Sequence, residues 1–83
     1  MPTSLPELLT DRRTALGLTI YEVADKLDVS WRTVYRWEAG ARDAHYRPPN
    51  RANCHRLALL YNLNPIHVLY LASVPPTKPE TRS

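Results

Sequence analysis

Between Thr19 and Gly40 the chain spells two short amphipathic helices separated by three residues, and no other segment restricts its fold so tightly. Thr19 and Glu22 form the Thr-x-x-Glu pattern of a capping box, in which each side chain satisfies a free amide of the other residue. Ile20, Val23, Ala24 and Leu27 then recur at i, i+3, i+4 and i+7, one buried face over two turns. Asp28-Val29-Ser30 is the turn. Asp28 tolerates a left-handed backbone, Val29 is an apolar plug between the helices, and Ser30 suits the N-cap of the next helix. From Ser30 to about Glu38, Val34 and Trp37 face inward, Trp31, Arg32, Tyr35 and Arg36 face outward, and Gly40 ends the run. A pair built this way supports itself on its inner residues and leaves the outer face of its second helix free.

Helical signals continue on either side. Pro6 to Leu16 reads as a first helix, with Pro at its start, Glu7 in its first turn, Leu8, Leu9, Ala15 and Leu16 apolar, and Gly17 as the stop. Ala41 to Asn50 contains two consecutive prolines and no helical period, so it reads as a loop. Asn50 is placed to cap a helix reaching about Tyr61, with Cys54, Leu57, Ala58 and Tyr61 on one face. After a turn at Asn62-Leu63-Asn64, Asn64 caps and Pro65 opens a last helix to about Ala72, with Ile66, Leu69 and Tyr70 as candidates for core or partner surface. The expectation is an all-α, compact five-helix bundle. Its parts are an N-terminal arm at 1–5, the bundle at 6–72 and a polar, Pro-rich, disordered tail at 73–83.

The outward face of the second amphipathic helix is unusual for a solvated surface, because two aromatics sit beside two arginines with no acid among them. Charge is distributed unevenly as well. Residues 1–30 hold three basic and five acidic residues, whereas residues 31–56 hold six arginines against Glu38 and Asp43. The positive charge is thus gathered on one helix and the loop after it, where a polyanion would be met. All six of those basic residues are Arg, which favours two-pronged contact with phosphate or guanine over a merely solvated face. Double-stranded DNA, with the helix in its major groove, is the partner these features imply.

Here the residues become specific. Gly17-Leu18-Thr19, Val23-Ala24, Lys26-Leu27, Val29-Ser30, Thr33-Val34, Arg36-Trp37-Glu38 and Gly40 together resemble the signature of the phage repressor and Cro-like helix-turn-helix family, also called Xre-like or lambda-repressor-like. The likeness covers roughly residues 6–72. It implies five helices, DNA binding to a palindromic operator as a homodimer, and repression or switching of transcription. Carried over by position, it implies that Trp31, Arg32 and Arg36, with Tyr35 between them, read bases. It also implies that Thr19, Ile20 and Ser30 meet the DNA backbone. Arg13 and Glu38 fall where the family has a structural salt bridge. Two departures stand out. Ile20 occupies a position commonly held by Gln, so Tyr21 is the candidate to supply the missing backbone contact. The loop between Gly40 and Leu57 is longer than in compact members, and its Arg42, Arg47 and Arg51 are candidates for phosphate contact.

Other functions are poorly served by this chain. The single cysteine excludes an internal disulfide and fits a reducing cytoplasm, and the resemblance implies that this is a bacterial one, with the chain bacterial or phage-encoded. No run of about 18 apolar residues occurs, so no membrane span is expected. Cys54, His45, His55 and His67 lack ligand or triad spacing, so neither a metal, a cofactor nor catalysis is expected, and Cys54 reads as a small buried apolar residue. Two alternatives remain. An excisionase-like or MerR-like architectural DNA-binding protein would need a β-wing after Gly40, where Pro48-Pro49 argues against one. An antitoxin-type protein-interaction module would be expected to carry apolar anchors in its tail, where only Val74 stands.

Overall fold

A computed structural model of the chain describes residues 4–74. It is all-helical: α1 (Leu5–Ala15), α2 (Ile20–Leu27), α3 (Trp31–Ala39), α4 (Arg51–Tyr61) and α5 (Pro65–Ser73), with one turn of 3₁₀ helix at Gly40–Arg42. Among the described residues there is no strand, so the wing that an excisionase-like or MerR-like protein would need after Gly40 is missing. The tail expected to separate the antitoxin reading lies, beyond Val74, outside the described residues.

Helices α2, α3, α4 and α5 each start where a side chain takes up free amides. The Thr19 hydroxyl accepts from the Glu22 amide at 3.1 Å, and the Glu22 carboxylate accepts from the Thr19 amide at 2.8 Å, completing the capping box of α2. Ser30 Oγ accepts from the Arg32 and Thr33 amides, Asn50 Oδ1 from Asn53, and Asn64 Oδ1 from Ile66. Stops are equally local. Asp28 and Asn62 adopt left-handed backbone at φ 57° and 56°, ending α2 and α4. Gly40 ends α3 at φ 59°, ψ −132°, a region open essentially to glycine alone.

The first helix departs from expectation at both ends. It begins at Leu5, because Ser4 takes the N-cap geometry and Pro6 fits the first turn. Leu5 is buried in the core and is no part of an N-terminal arm. Leu16, expected on the apolar face, is the C-cap and is exposed. In α5 the buried residue is Val68, while Ile66 and Tyr70 are exposed and Leu69 is half-buried, so neither Ile66 nor Tyr70 belongs to the core. An almost uniformly apolar nine-residue helix carries no period from which its buried side can be read. It also runs to Ser73, one residue past the expected end.

The core is formed by Leu5, Leu9, Val23, Ala24, Leu27, Val34, Trp37, Cys54, Leu57, Ala58, Tyr61 and Val68, with Val29 packed against its edge. α3 packs on both α1 and α2, and α4 packs on α5. The helix carrying the two arginines is therefore held from its inner side by two others.

Candidate nucleic-acid interface

The orientation of α3 is fixed by a buried ion pair at its inner, C-terminal end. Arg13 Nε donates to Glu38 Oε2 at 2.8 Å and Arg13 Nη2 donates to Oε1 at 3.0 Å. The Thr10 hydroxyl donates to the same Oε1 at 3.2 Å, and Arg13 Nη1 donates to the Leu18 carbonyl at 3.0 Å. Glu38 keeps 7% of its surface exposed. Hydrogen bonding to Glu38 raises the Arg13 pKa above its ordinary value, burial opposing it. The pair locks α1, the α1–α2 connection and α3 together, which is a structural role.

With Val34 and Trp37 buried, α3 presents Trp31, Arg32, Tyr35 and Arg36 to solvent. At about 100° per residue these four span an arc of roughly 140° on one side of the helix. Trp31 is 42% and Tyr35 49% exposed, high for large aromatics in so small a domain. Nine residues make a rod of about 13 Å, comparable with the width of the DNA major groove, about 12 Å.

The two arginines are held differently. The guanidinium carbon of Arg32 lies 5.3 Å from the centroid of the Trp31 ring. Arg36 Nε lies 3.9 Å from Asp43 Oδ2. Asp43 also accepts the His45 amide at 2.7 Å on Oδ1, and its carbonyl accepts the Tyr46 amide, so it organises the turn that begins the long loop. Sequence reasoning gave Asp43 no part here; the one available signal was an acid seven residues beyond Arg36 in an otherwise basic stretch.

The loop folds back beside α3. Pro49 is buried, its carbonyl accepts from Cys54 Sγ at 3.4 Å, and Tyr46 is half-buried. Burial pushes the Tyr46 hydroxyl and the Cys54 thiol up from their ordinary pKa values. Between loop and helix runs an open cleft of about 540 Å³, lined among others by Thr33, Arg36, His45, Arg47 and Asn53. Arg47 therefore stands on the same side of the molecule as Arg36. Arg51 is exposed in the first turn of α4.

Several of the other expected contact residues, and Arg56 beside them in the charge cluster, have partners inside the protein. Arg42 turns back on α3, its Nε donating to the Ala39 carbonyl at 3.2 Å and its Nη2 to the Glu38 carbonyl at 3.3 Å. Arg56 donates to the Leu27 carbonyl at 3.3 Å. Of the six arginines in residues 31–56, these two thus tie off helix ends, where cations offset the exposed carbonyls. The Thr19 and Ser30 oxygens are occupied by their caps, though each hydroxyl hydrogen stays available to an outside acceptor. Ile20 is half-buried against the core, while Tyr21 is 65% exposed at the start of α2.

Against known proteins, residues 8–43 match the family model of a homeodomain-like domain. That span takes in most of α1, all of α2 and α3, and the 3₁₀ turn, and stops before α4 and α5. No curated protein and no solved structure matches the chain. Match and geometry agree that the chain carries a helix-turn-helix, with α3 in the place of the second helix. Among the described residues no helix is long and apolar enough to cross a membrane.

Proposed function

We propose that this protein is a sequence-specific regulator of transcription, of the phage repressor or Cro-like type, that lays α3 in the major groove of a double-stranded operator. The observation that carries this reading is the division of α3. Val34, Trp37 and Glu38 are buried and locked, while two aromatics and two arginines project together on the opposite side. Arg32 and Arg36 each have the geometry to span guanine O6 and N7. Arg47, across the cleft from Arg36, and Arg51, exposed at the start of α4, are then the candidates for phosphate contact, together with the hydroxyl hydrogens of Thr19 and Ser30. The protein acts by occupying DNA in the bacterial cytoplasm, as a homodimer on inverted half-sites about 34 Å apart, with no cofactor and no catalytic step.

Binding to a preferred duplex and to its single-base variants tests this directly. Arg32→Ala and Arg36→Ala are each expected to abolish discrimination at a different base pair, a loss of about 5- to 150-fold. Arg47→Ala and Arg51→Ala should weaken binding to all duplexes alike and each lower the salt slope by about one. Unchanged discrimination in both Arg32→Ala and Arg36→Ala would remove the docking arrangement. Sedimentation with and without the operator tests the two-fold assembly.

A further inference from the structure

The exposed side chains at the start of α2 and α3 form a connected cluster. The ring centroids of Tyr21 and Trp31 lie 5.7 Å apart with their planes inclined at 52°. Arg32 adds its guanidinium over the Trp31 ring, at 5.3 Å. Successive residues on a helix diverge by about 100°, so this Arg32–Trp31 contact requires the arginine to fold back across its neighbour. Neither Tyr21 nor Trp31 belongs to the core. Among the described residues no carboxylate pairs with Arg32, whereas Arg36 has Asp43.

A cation–ring contact of this kind uses no oxygen acceptor, so it leaves the guanidinium without a hydrogen-bonded partner among the described residues. The hydrogen-bond donors of the guanidinium lie along its edge and stay free for an acceptor pair such as guanine O6 and N7. A long side chain held in place before docking also loses less freedom when it binds. Building on the DNA-reading function proposed above, we infer that Tyr21 and Trp31 form an aromatic ledge that presents Arg32 to its base. Trp31 is then a specificity-determining positioning residue whose effect appears at the base pair Arg32 reads. Tyr21 supports it from the neighbouring helix.

The test uses the full chain, a preferred duplex and a set in which each base pair is changed singly. Arg32→Ala should erase the preference at one pair. Trp31→Ala should reduce the preference at that same pair about 2- to 5-fold, as expected for an exposed cation–ring contact, with other positions little changed. Trp31→Phe should retain most of it, Tyr21→Ala should give a smaller loss than Trp31→Ala, and Tyr21→Phe should keep the native selectivity at that pair, the loss of any phosphate contact by its hydroxyl weakening all duplexes alike. In the Arg32→Ala background, Trp31→Ala should have no further effect at that pair. Far-UV circular dichroism and tryptophan emission, which in the Trp31 variants comes from buried Trp37 alone, verify that each variant is folded. The ledge is refuted, with DNA reading intact, if Trp31→Ala weakens every duplex equally or alters a different base pair while the Arg32 position stays selective. If Arg32→Ala and Arg36→Ala alter no base preference, the DNA-reading premise falls and the ledge with it.

Discussion

Replacing Arg13 with alanine should be among the most damaging changes outside the apolar core. Glu38 is 7% exposed, and Arg13 supplies all but one of the hydrogen bonds to its carboxylate, the Thr10 hydroxyl giving the other. Removing one member of a buried pair strands the other charge, at a cost of about 3–5 kcal/mol. Arg13 itself keeps 17% exposure, which admits water and places the effect near 3 kcal/mol, the lower end of that range. A chain of this length has a total stability of about 4–12 kcal/mol, so the variant loses a large part of it. At about 4–8 °C per kcal/mol, the melting temperature should fall by about 12–24 °C. Urea unfolding followed by circular dichroism and Trp37 emission measures the change, with an unaltered m-value expected. Arg13→Met combined with Glu38→Leu should restore most of the loss, because an apolar pair of similar volume leaves no stranded charge. A cost below about 1 kcal/mol for Arg13→Ala, or a double variant as unstable as the two singles summed, would refute the buried-lock account.

Three further outcomes follow from the same geometry. Gly40→Ala should lose about 1–3 kcal/mol in urea unfolding, because φ 59°, ψ −132° is closed to a side chain bearing Cβ. Asp43→Asn should strengthen binding to every duplex and steepen the salt slope, because it removes an acid beside Arg36 while keeping an acceptor for the His45 amide; an unchanged slope in a salt titration would contradict this. Cys54, wholly buried with its thiol pKa raised by that burial, should react with a thiol reagent only at the rate of unfolding, and immediate labelling of the folded protein would contradict its placement.

Much of the architecture was legible because its punctuation is local. Thr19 with Glu22, Ser30, Asn50 and Asn64-Pro65 mark helix starts by bonds that span two or three residues, so the sequence alone suffices to place them. Periodicity also identified Val23, Ala24 and Leu27 as one buried face and separated Val34 and Trp37 from the outward four. What failed to show was decided by tertiary contact or by missing contrast. Val68 and Ile66 look alike in a helix of nearly uniform hydropathy, and only packing distinguishes them. Pro6 is compatible with a helix starting at either Leu5 or Pro6, and burial of Leu5 settles which. The six clustered arginines read as one basic surface, yet Arg42 and Arg56 turn to carbonyl groups of the protein itself. The Tyr21–Trp31 contact joins residues from two helices, and Asp43 reaches Arg36 only because the loop folds back.

Selection of duplexes from a random pool by the full chain tests the central claim, that the outer face of α3 reads base pairs. The account predicts enrichment of a motif containing guanines at the positions met by Arg32 and Arg36, arranged as inverted half-sites about one helical turn apart, and loss of those guanines when the two arginines are replaced. A pool that stays random after repeated rounds, or a motif that persists unchanged in the doubly substituted protein, would contradict it.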